Sequence, residues 1–441
     1  MLKSSKTSLL GFRDLFGREA RVKEYLMAKL AELFQLWGYE RIELALIENM
    51  DSFSERIIGR SPWPEWNKKC SFILDIHDYH SSYSNPSIIT KALLVPEGTV
   101  SVSRWLANLA RKNRSGVETA LPLKIFYIVP CFRNELIGKL TSTKGRHFTQ
   151  AGIEIIGVSN CFADLETMML ISEGIKNFGV PPESIKIRIG DIRIFNALCN
   201  ESEIQNKHII PLKECMDAIA ESRAESDKIR LKNERETLEK ILANYTLNQK
   251  LRQKWEICLS GLRDQINPEE ARILSYTESV TELNYLANQM SNLGIDNKID
   301  LAVVRSHEYY TGIVYEVDIK SRDRIIVEVA GGGRYNKMIG RFLGERLSIP
   351  AVGFAYGVER LYNILKNIRG PVRDGVFHWF SRRQTDFVIY GRAEKFSEVV
   401  ARAQDMRKRL LRTDIFIGDD LSEEAAKCYT KSKGAKLEVI I

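Results

Sequence analysis

Residues 131–157, CFRNELIGKLTSTKGRHFTQAGIEIIG, decide the fold of this chain. Strand-like apolar runs occupy 123–133 and 147–158, on either side of a polar loop. Gln150 and Glu154 stand two and six positions after Phe148, and this even spacing directs all three side chains to one face of a strand. The stretch therefore predicts sheet strands that present polar side chains to a ligand.

A second stretch, PAVGFAYGVERL (350–361), carries the same mixture of charges. Here Glu359 directly precedes Arg360 in a segment that reads as the start of a helix, and in the first stretch Arg133 precedes Glu135 by two positions. Guanidinium forks suit phosphate oxygens, and carboxylates suit magnesium. Together the stretches indicate a pocket for ATP with Mg²⁺.

The spacing of these residues resembles motifs 2 and 3 of the class II aminoacyl-tRNA synthetases. VVRSHEYYTGIVYE (303–316) is similar to a signature of the histidyl-tRNA synthetase family, which includes regulatory-subunit paralogues of ATP phosphoribosyltransferase. The resemblance runs from about Gly11 to the C-terminus, interrupted by a divergent helical stretch. It implies an α+β fold, with a class II antiparallel sheet flanked by helices, a helical insertion and a small C-terminal α/β domain.

Composition and element order divide the chain further. One long segment is rich in Glu, Lys, Leu and Ala with almost no Gly or Pro, which is typical of helices, and the C-terminal part alternates as β-α-β-α-β. We expect a first part of the catalytic core with motifs 1 and 2 (1–198), a helical insertion (199–292), a second part with the histidine motifs and motif 3 (293–368), a linker (369–383) and a truncated anticodon-binding-like α/β domain (384–441). The insertion is either a solvated helical surface or a contact for tRNA.

Residues 17–37 read as an amphipathic helix, and 39–49 read as a strand followed by a loop. The resemblance makes this segment motif 1, which forms the interface of a homodimer in the family. Residues 55–91 are less regular, so we expect an extended loop over the active-site face, either a substrate lid or a decorated surface loop.

The resemblance also implies an ATP site of seven residues. Stacking between an aromatic ring and a guanidinium suits a flat heteroaromatic base. The expected contacts are Arg133 to the α-phosphate, Glu135 to the adenine amino group, Lys144 or Arg146 to the outer phosphates, Phe148 and Arg360 to the two faces of adenine, and Glu359 to magnesium. Any one of the charged residues, taken alone, could instead belong to a surface ion pair.

A histidine site is implied beside it. LLVPEGT (93–99) is similar to a family turn with Val95 in place of arginine, and the resemblance assigns Glu97, with Thr99 beside it, to the substrate ammonium group. The same comparison gives Gln150 to the carboxylate and Glu154, with Tyr309 and Tyr310, to the imidazole. The glycines Gly331, Gly332 and Gly333 would let the backbone approach the ligand closely.

Arg305 is the position on which catalysis depends most. In the family this arginine touches the α-phosphate opposite the motif 2 arginine, so the resemblance makes Arg133 and Arg305 the catalytic pair and places Arg305 in the histidine site as well. Two guanidinium groups would stabilise the charge that develops at phosphorus. The alternative is a surface ion pair of Arg305 with Glu308 or Asp318.

Composition bounds the remaining possibilities. The 441 residues carry a net charge of +8, compatible with nucleic acid but diluted by 57 acidic residues. No run of about twenty apolar residues occurs, and the first residues lack a secretory core. Seven cysteines are scattered without a CxxC pair, which favours reduced thiols in the cytoplasm and no structural zinc site.

Three functions stay open at this point. The first is histidine activation by ATP with transfer to tRNA. The second is a non-catalytic, histidine-sensing regulatory subunit of ATP phosphoribosyltransferase, favoured by TQAGIEIIG and the short C-terminus but not by a retained ATP clamp. The third is an adenylating paralogue with a non-tRNA acceptor, for which Val95 and Ser306–His307 leave room.

Overall fold

The structure is a computed structural model that describes residues 8–59, 71–79, 86–134, 145–305, 308–321, 325–344, 348–367, 385–417, 420 and 422–440. Glu135, Lys144, Ser306–His307 and the expected linker at 369–383 lie outside the described residues. The chain forms two compact units, residues 1–372 and 373–441.

The described helices are α1 (Arg18–Leu36), α2 (Glu55–Ile58), α3 (Gly98–Lys112), α4 (Arg114–Ala120), α5 (Phe162–Asn177), α6 (Ile192–Glu201), α7 (Asn206–Glu225), α8 (Lys228–Leu242), α9 (Gln249–Leu259), α10 (Pro268–Leu274), α11 (Thr277–Asn292), α12 (Met338–Phe342), α13 (Val358–Asn367), α14 (Phe396–Lys408) and α15 (Glu423–Lys433). The described strands are β1 (Glu40–Arg41), β2 (Ile47–Asn49), β3 (Ile73–Tyr79), β4 (Pro86–Leu94), β5 (Leu123–Phe132), β6 (His147–Ile156), β7 (Ile185–Asp191), β8 (Asn297–Ile299), β9 (Ile313–Lys320), β10 (Ile326–Arg334), β11 (Ala351–Gly357), β12 (Phe387–Gly391), β13 (Thr413–Ile415) and β14 (Lys436–Ile440).

Among the described residues, the main sheet has eight strands in the order β1-β5-β6-β11-β10-β9-β7-β8. The inner pairs from β5 through to β7 are all antiparallel. Short parallel pairs close the two edges, β1 with β5 and β7 with β8. The predicted fold, an antiparallel sheet flanked by helices, is confirmed.

Helix α1 packs on this sheet with one face. Val22, Leu26, Leu30, Leu33 and Phe34 are buried, and they recur three or four positions apart as one stripe of a helix requires. Each fully buried side chain of this size stabilises the fold by roughly 1.5–3 kcal/mol. The helix matches the one predicted at 17–37 to within one residue at each end.

The segment 55–91 differs from the expected extended loop. In its described part, β3 pairs along its length with β4, and β4 also pairs with β2, so a small antiparallel sheet forms. The strand was not predicted because its alternation of apolar and polar residues, Leu74-Asp75-Ile76-His77, is only four residues long. Residues 60–70 and 80–85 lie outside the described part of the chain.

Helices α7 to α11 span most of the predicted insertion. Their buried residues form an interior that includes Leu212, Leu238, Trp255 and Leu283. Helix α7 also packs against β10 of the main sheet. The insertion therefore touches the sheet at the strand that carries the glycine motif.

The second unit has the predicted β-α-β-α-β order. Its sheet has the order β13-β12-β14, and both pairings are parallel. Val388 and Tyr390 on β12 pack toward one cluster, and Ile389 packs toward the other, because successive residues of a strand face opposite sides. In the described residues of both units, no helix combines the length and apolarity needed to cross a membrane.

Candidate active site

One cavity of about 180 Å³ lies against the main sheet. Eleven residues of the two sites predicted from the sequence line it: Glu97, Thr99, Arg133, Phe148, Gln150, Arg305, Tyr309, Tyr310, Gly331, Glu359 and Arg360. Arg146, Glu154 and Gly332 are described but do not line the cavity. Glu135 and Lys144 lie outside the described residues.

Glu154 lies behind the cavity wall and is fully buried. The Tyr335 hydroxyl donates to its Oε2 at 2.7 Å, and the Tyr127 hydroxyl approaches Oε1 at 3.4 Å. Burial raises the pKa of the Glu154 carboxyl to about 8, against the hydroxyls that favour its ionised form. At neutral pH the group is therefore mostly a neutral acid that can donate as well as accept.

Gly353 separates Glu154 from the cavity. The two residues are register partners on β11 and β6, and a Cβ at Gly353 would lie 1.8 Å from Glu154 Oε2. Since real Cβ atoms do not approach oxygen this closely, any side chain at Gly353 would displace the carboxyl. The backbone here leaves room for the Glu154 carboxyl itself.

Glu97 is buried and caps the start of α3. Its Oε1 accepts from the Val100 amide at 2.8 Å, and the Tyr309 hydroxyl lies 3.4 Å from its Oε2. Burial raises the pKa of Glu97, although the Val100 amide and Arg133 oppose this shift. Gln150 Oε1 accepts from the Gly98 amide at 2.9 Å, so both polar side chains are held by the same turn.

Tyr309 and Tyr310 are both buried, with ring centroids 4.7 Å apart. Tyr335 packs edge-on against Tyr309 at 6.2 Å. The three rings form an aromatic wall whose hydroxyls reach Glu97 on one side and Glu154 on the other. Such a wall suits a small ring that carries polar atoms.

Arg305 contacts two carboxylates that line the cavity. Its Nη1 lies 3.2 Å from Glu328 Oε1 and 3.4 Å from Glu316 Oε1. These contacts contradict the alternative hypothesis of a surface ion pair with Glu308 or Asp318. Its side chain is 17% exposed, which also excludes a surface pair. A Cβ at Gly331 would lie 2.0 Å from the same Nη1, so any side chain at this position would displace the guanidinium.

The backbone and one donor of Arg305 are unusual. Its φ is +44°, in the left-handed region that costs a non-glycine residue on the order of 1–3 kcal/mol. Its Nε is buried and has no hydrogen-bond partner in the described part of the chain. A strained arginine with an unsatisfied donor beside a cavity is an expected arrangement for binding an anion.

The other ATP-site residues also contact one another or their neighbours. The Arg133 guanidinium lies 5.0 Å from the Phe148 ring centroid, and its Nε donates to the Pro96 carbonyl at 3.0 Å. Arg360 Nη1 lies 2.9 Å from Glu328 Oε2. Arg133 therefore lies over the Phe148 ring, and the expected stacking of adenine between Phe148 and Arg360 stays a prediction.

Glu359, expected to bind magnesium, uses both carboxylate oxygens within the protein. Oε2 accepts from the Thr149 amide at 2.7 Å, and Oε1 pairs with Lys23 Nζ at 2.7 Å. In the described residues, no group of three or more His, Cys, Asp or Glu side chains is arranged to hold a metal ion. Arg146 lies apart against the N-terminal segment, where its Nη1 donates to the Leu10 carbonyl at 3.3 Å.

Sequence reasoning missed several cavity residues. They are Glu316 and Glu328 on β9 and β10, Tyr335 after the glycine motif, and Asp217 and Glu221 on α7. A signal existed for the first two, because each is an acid inside a largely apolar stretch, IVYEVDI and RIIVEVA. The two acids on α7 gave no signal, since the insertion is rich in acids throughout.

Comparison with known proteins agrees with this geometry. The sequence matches the family model described as Histidyl-tRNA synthetase over residues 11–62 and 94–361. A histidine–tRNA ligase of Saccharolobus islandicus is 29% identical over 366 residues, which cover 81% of this chain and 75% of the relative. The corresponding ligase of Sulfolobus acidocaldarius is 25% identical, with 82% and 76% covered.

Solved structures show the same fold. A protein of Bacillus halodurans C, described as an ATP phosphoribosyltransferase regulatory subunit/histidyl-tRNA synthetase, superposes with a TM-score of 0.73 at 19% identity over 100% of both chains. The apo histidyl-tRNA synthetase of S. aureus gives 0.63 at 19% identity, over 100% of this chain and 91% of the other. Since the family model matches well over half of the sequence, the chain belongs to the histidyl-tRNA synthetase family.

Proposed function

We propose that this protein activates histidine with ATP and transfers it to tRNA, as a histidine–tRNA ligase or a close paralogue. The observation that carries the proposal is the meeting of Arg133, Arg305 and Arg360 in one cavity with Glu97 and the tyrosine wall. Histidine's carboxylate oxygen would attack the α-phosphorus, the bond to the bridging oxygen would break, and pyrophosphate would leave with histidyl-adenylate remaining.

Arg133 and Arg305 act on the phosphate in this proposal. The unsatisfied Nε of Arg305 supports the assignment, because an incoming oxyanion would give that donor an acceptor. Phe148 and Arg360 would hold adenine, and Arg146, Glu135 and Lys144 would contact the remaining parts of the nucleotide. Stabilisation of developing charge by such donors is typically worth about 3–4 kcal/mol.

Magnesium would enter with ATP and offset the charge of its phosphates. Glu359 has the right chemistry for a ligand, yet its oxygens are engaged by Lys23 and the Thr149 amide. Glu359 would hold a magnesium ion if Lys23 moved to another acceptor, such as a phosphate oxygen. Binding of Mg²⁺–ATP would then exchange the partners of both residues.

Histidine selection would come from Tyr309, Tyr310 and Tyr335, with Glu154 acting from behind the wall through Tyr335. The Glu154 carboxyl would fix the Tyr335 hydroxyl, and the tyrosine hydroxyls would form hydrogen bonds with the imidazole nitrogens. Glu97 and Thr99 would take the substrate ammonium group, Gln150 its carboxylate, and the backbone at Gly331 and Gly332 would line the approach. An amino acid without these polar atoms would leave buried groups unpaired and be rejected by as much as ~10⁴-fold.

The wider assignments are homodimer, tRNA substrate and cytoplasm. The motif 1 segment supports the dimer because Leu36, Leu46 and Ile47 are exposed apolar residues there, at 78%, 42% and 48%. Ligase relatives support tRNA as acceptor and protein synthesis as the setting. The scattered cysteines support a reducing compartment, since none of the described ones is paired.

The second candidate is the histidine-sensing regulatory subunit. The pairing of Glu328 with Arg305 and Arg360 favours it, because each guanidinium group then has a carboxylate partner without a nucleotide. An adenylating paralogue with a non-tRNA acceptor would use the same cavity as the ligase. This hypothesis and the ligase proposal differ only in the molecule that accepts the histidyl group.

ATP–pyrophosphate exchange, driven by each natural amino acid in turn, tests the proposal. We expect exchange with histidine alone, and we expect Arg305→Ala to lower its rate by roughly 10²–10³ with little change in histidine affinity. Arg409→Ala, at an exposed residue of the second unit, is the matched control. Histidine binding without any exchange would instead establish the sensor, and exchange without transfer to tRNA would establish the other acceptor.

A further inference from the structure

Glu328 stands between two arginines that the proposed function assigns to the nucleotide. Its Oε1 lies 3.2 Å from Arg305 Nη1, and its Oε2 lies 2.9 Å from Arg360 Nη1. The carboxylate thus bridges two guanidinium groups with one oxygen for each. A phosphate oxygen pair would make the same two contacts.

Local backbone geometry fixes Glu328 in this position. In the pairing of β10 with β9, Glu328 faces Asp318 and Ala330 faces Val317, so Val329 is an extra residue and the strand is bulged. Bulges re-aim side chains and are frequent next to active sites. Arg360 also donates to the Glu328 carbonyl at 3.2 Å, which keeps the guanidinium beside this residue.

Glu328 and Glu316 both lie beside Arg305, and the negative charge resides on Glu328. Burial raises its pKa, but Arg360 and Arg305 outweigh burial and lower the pKa to about 2. Its neighbour Glu316 shows the reverse, because burial and the charge of Glu328 raise its pKa above the ordinary range despite Arg188 and Arg305. One ionised carboxylate therefore serves two arginines at neutral pH.

We propose that Glu328 is an internal competitor of the nucleotide, against the α-phosphate for Arg305 and against adenine for Arg360, and that it sets the affinity of the cavity for ATP. The identity of the ligand rests on the proposed function. The Glu328 side chain is 25% exposed, so water can hydrate the carboxylate once it has left the two arginines. Phosphate binding then exchanges one ion pair for another, which lowers net affinity and favours polyphosphates over weak monoanions.

The test compares Glu328→Gln with Glu225→Gln by isothermal titration with ATP and, separately, with inorganic tripolyphosphate. Glu225 does not line the cavity, and its described ion pair is with Arg230, so its variant removes an equal charge without freeing either arginine. We expect Glu328→Gln to lower the Kd for both ligands about tenfold, on the scale of a partly buried charged contact. Glu225→Gln should change each Kd by less than about twofold.

A third variant, Glu328→Asp, keeps the charge but shortens the side chain by one methylene. We expect an intermediate Kd, and thermal denaturation of all variants checks that each is folded. If Glu328→Gln weakened or did not alter binding of either ligand, Glu328 would be a positioning residue and the proposal would be overturned. Binding of neither ligand to any variant would overturn it as well.

The two proposals fail in different ways. Tighter tripolyphosphate binding by Glu328→Gln, without histidine-dependent exchange in the native protein, would keep the role of Glu328 and refute adenylation. Normal exchange in the native protein with an unchanged Kd in Glu328→Gln would refute the role of Glu328 and leave the adenylation proposal intact. In the exchange assay, competition predicts a lower KM for ATP with kcat retained, whereas a positioning role predicts a lower kcat.

Discussion

Replacing Glu154 with Gln should change how the stability of the protein depends on pH. The carboxyl is fully buried, and burial raises its pKa from an ordinary 4.5 to about 8. The folded chain therefore holds a proton that the unfolded chain releases between these two values. By linkage, the free energy of unfolding falls as pH rises through this window and is level above it.

The size of the effect follows from the two pKa values. Between pH 6 and pH 8, a single group of this kind lowers the free energy of unfolding by about 2 kcal/mol, at 1.36 kcal/mol per pKa unit. Glutamine keeps the shape of the neutral acid and accepts from Tyr335, so Glu154→Gln should match the native protein near pH 6. The variant should lose about 2 kcal/mol less than the native protein on going to pH 8.

Urea denaturation followed by tryptophan fluorescence, at half-unit steps from pH 6 to 8, measures this difference. Glu316 and the other buried acids are present in both proteins and cancel in the comparison. Glu239→Gln, at an exposed position of the insertion, controls for the loss of one negative charge. Identical pH dependences in the native protein and Glu154→Gln would refute the reasoning, because Glu154 would then take up no proton on folding.

Three further predictions follow from other parts of the molecule. Arg334→Ala should lower the free energy of unfolding by about 3–5 kcal/mol, since it leaves the fully buried Asp164 and the Val158 carbonyl without their partner; a loss below 1 kcal/mol in thermal or urea denaturation would contradict this. Light scattering should give twice the chain mass of 50.5 kDa, and a monomer at micromolar concentration would contradict the motif 1 interface. Binding of tRNA should be weak, fall steeply with salt and discriminate poorly through the anticodon, because the lysines and arginines of α14 and α15 can supply phosphate contacts that give position without identity; tight, salt-insensitive, anticodon-dependent filter binding would show the opposite.

The parts of the molecule that sequence predicted well are those with a local signal. Helix α1 has a stripe at helical spacing, and the strands around the glycine motif have clear alternation. The small sheet of β2, β3 and β4 gave a weaker signal, because β2 has only three residues and pairs with a strand far away in sequence, as Ile47 does with Leu94. Its strands become regular only when they meet.

The candidate site shows the same division. The resemblance placed Arg305 and Arg360 in one pocket, and the structure brings both to the cavity. It gave no hint that Glu328 joins them, since the three residues lie 23 and 32 positions apart and the bridge exists only after β9, β10 and α13 have assembled. Packing geometry determines which side chains meet across the fold, and no single stretch of sequence specifies that geometry.

Helix α7 has a consequence for attempts to shorten or recombine this protein. It belongs to the insertion, yet Asp217 and Glu221 form part of the cavity lining. A chimera that exchanged the insertion for that of a relative, or a shortened protein that omitted it, would remove two acids from the cavity and open one of its sides. The insertion can therefore be engineered only together with the cavity, as one design unit.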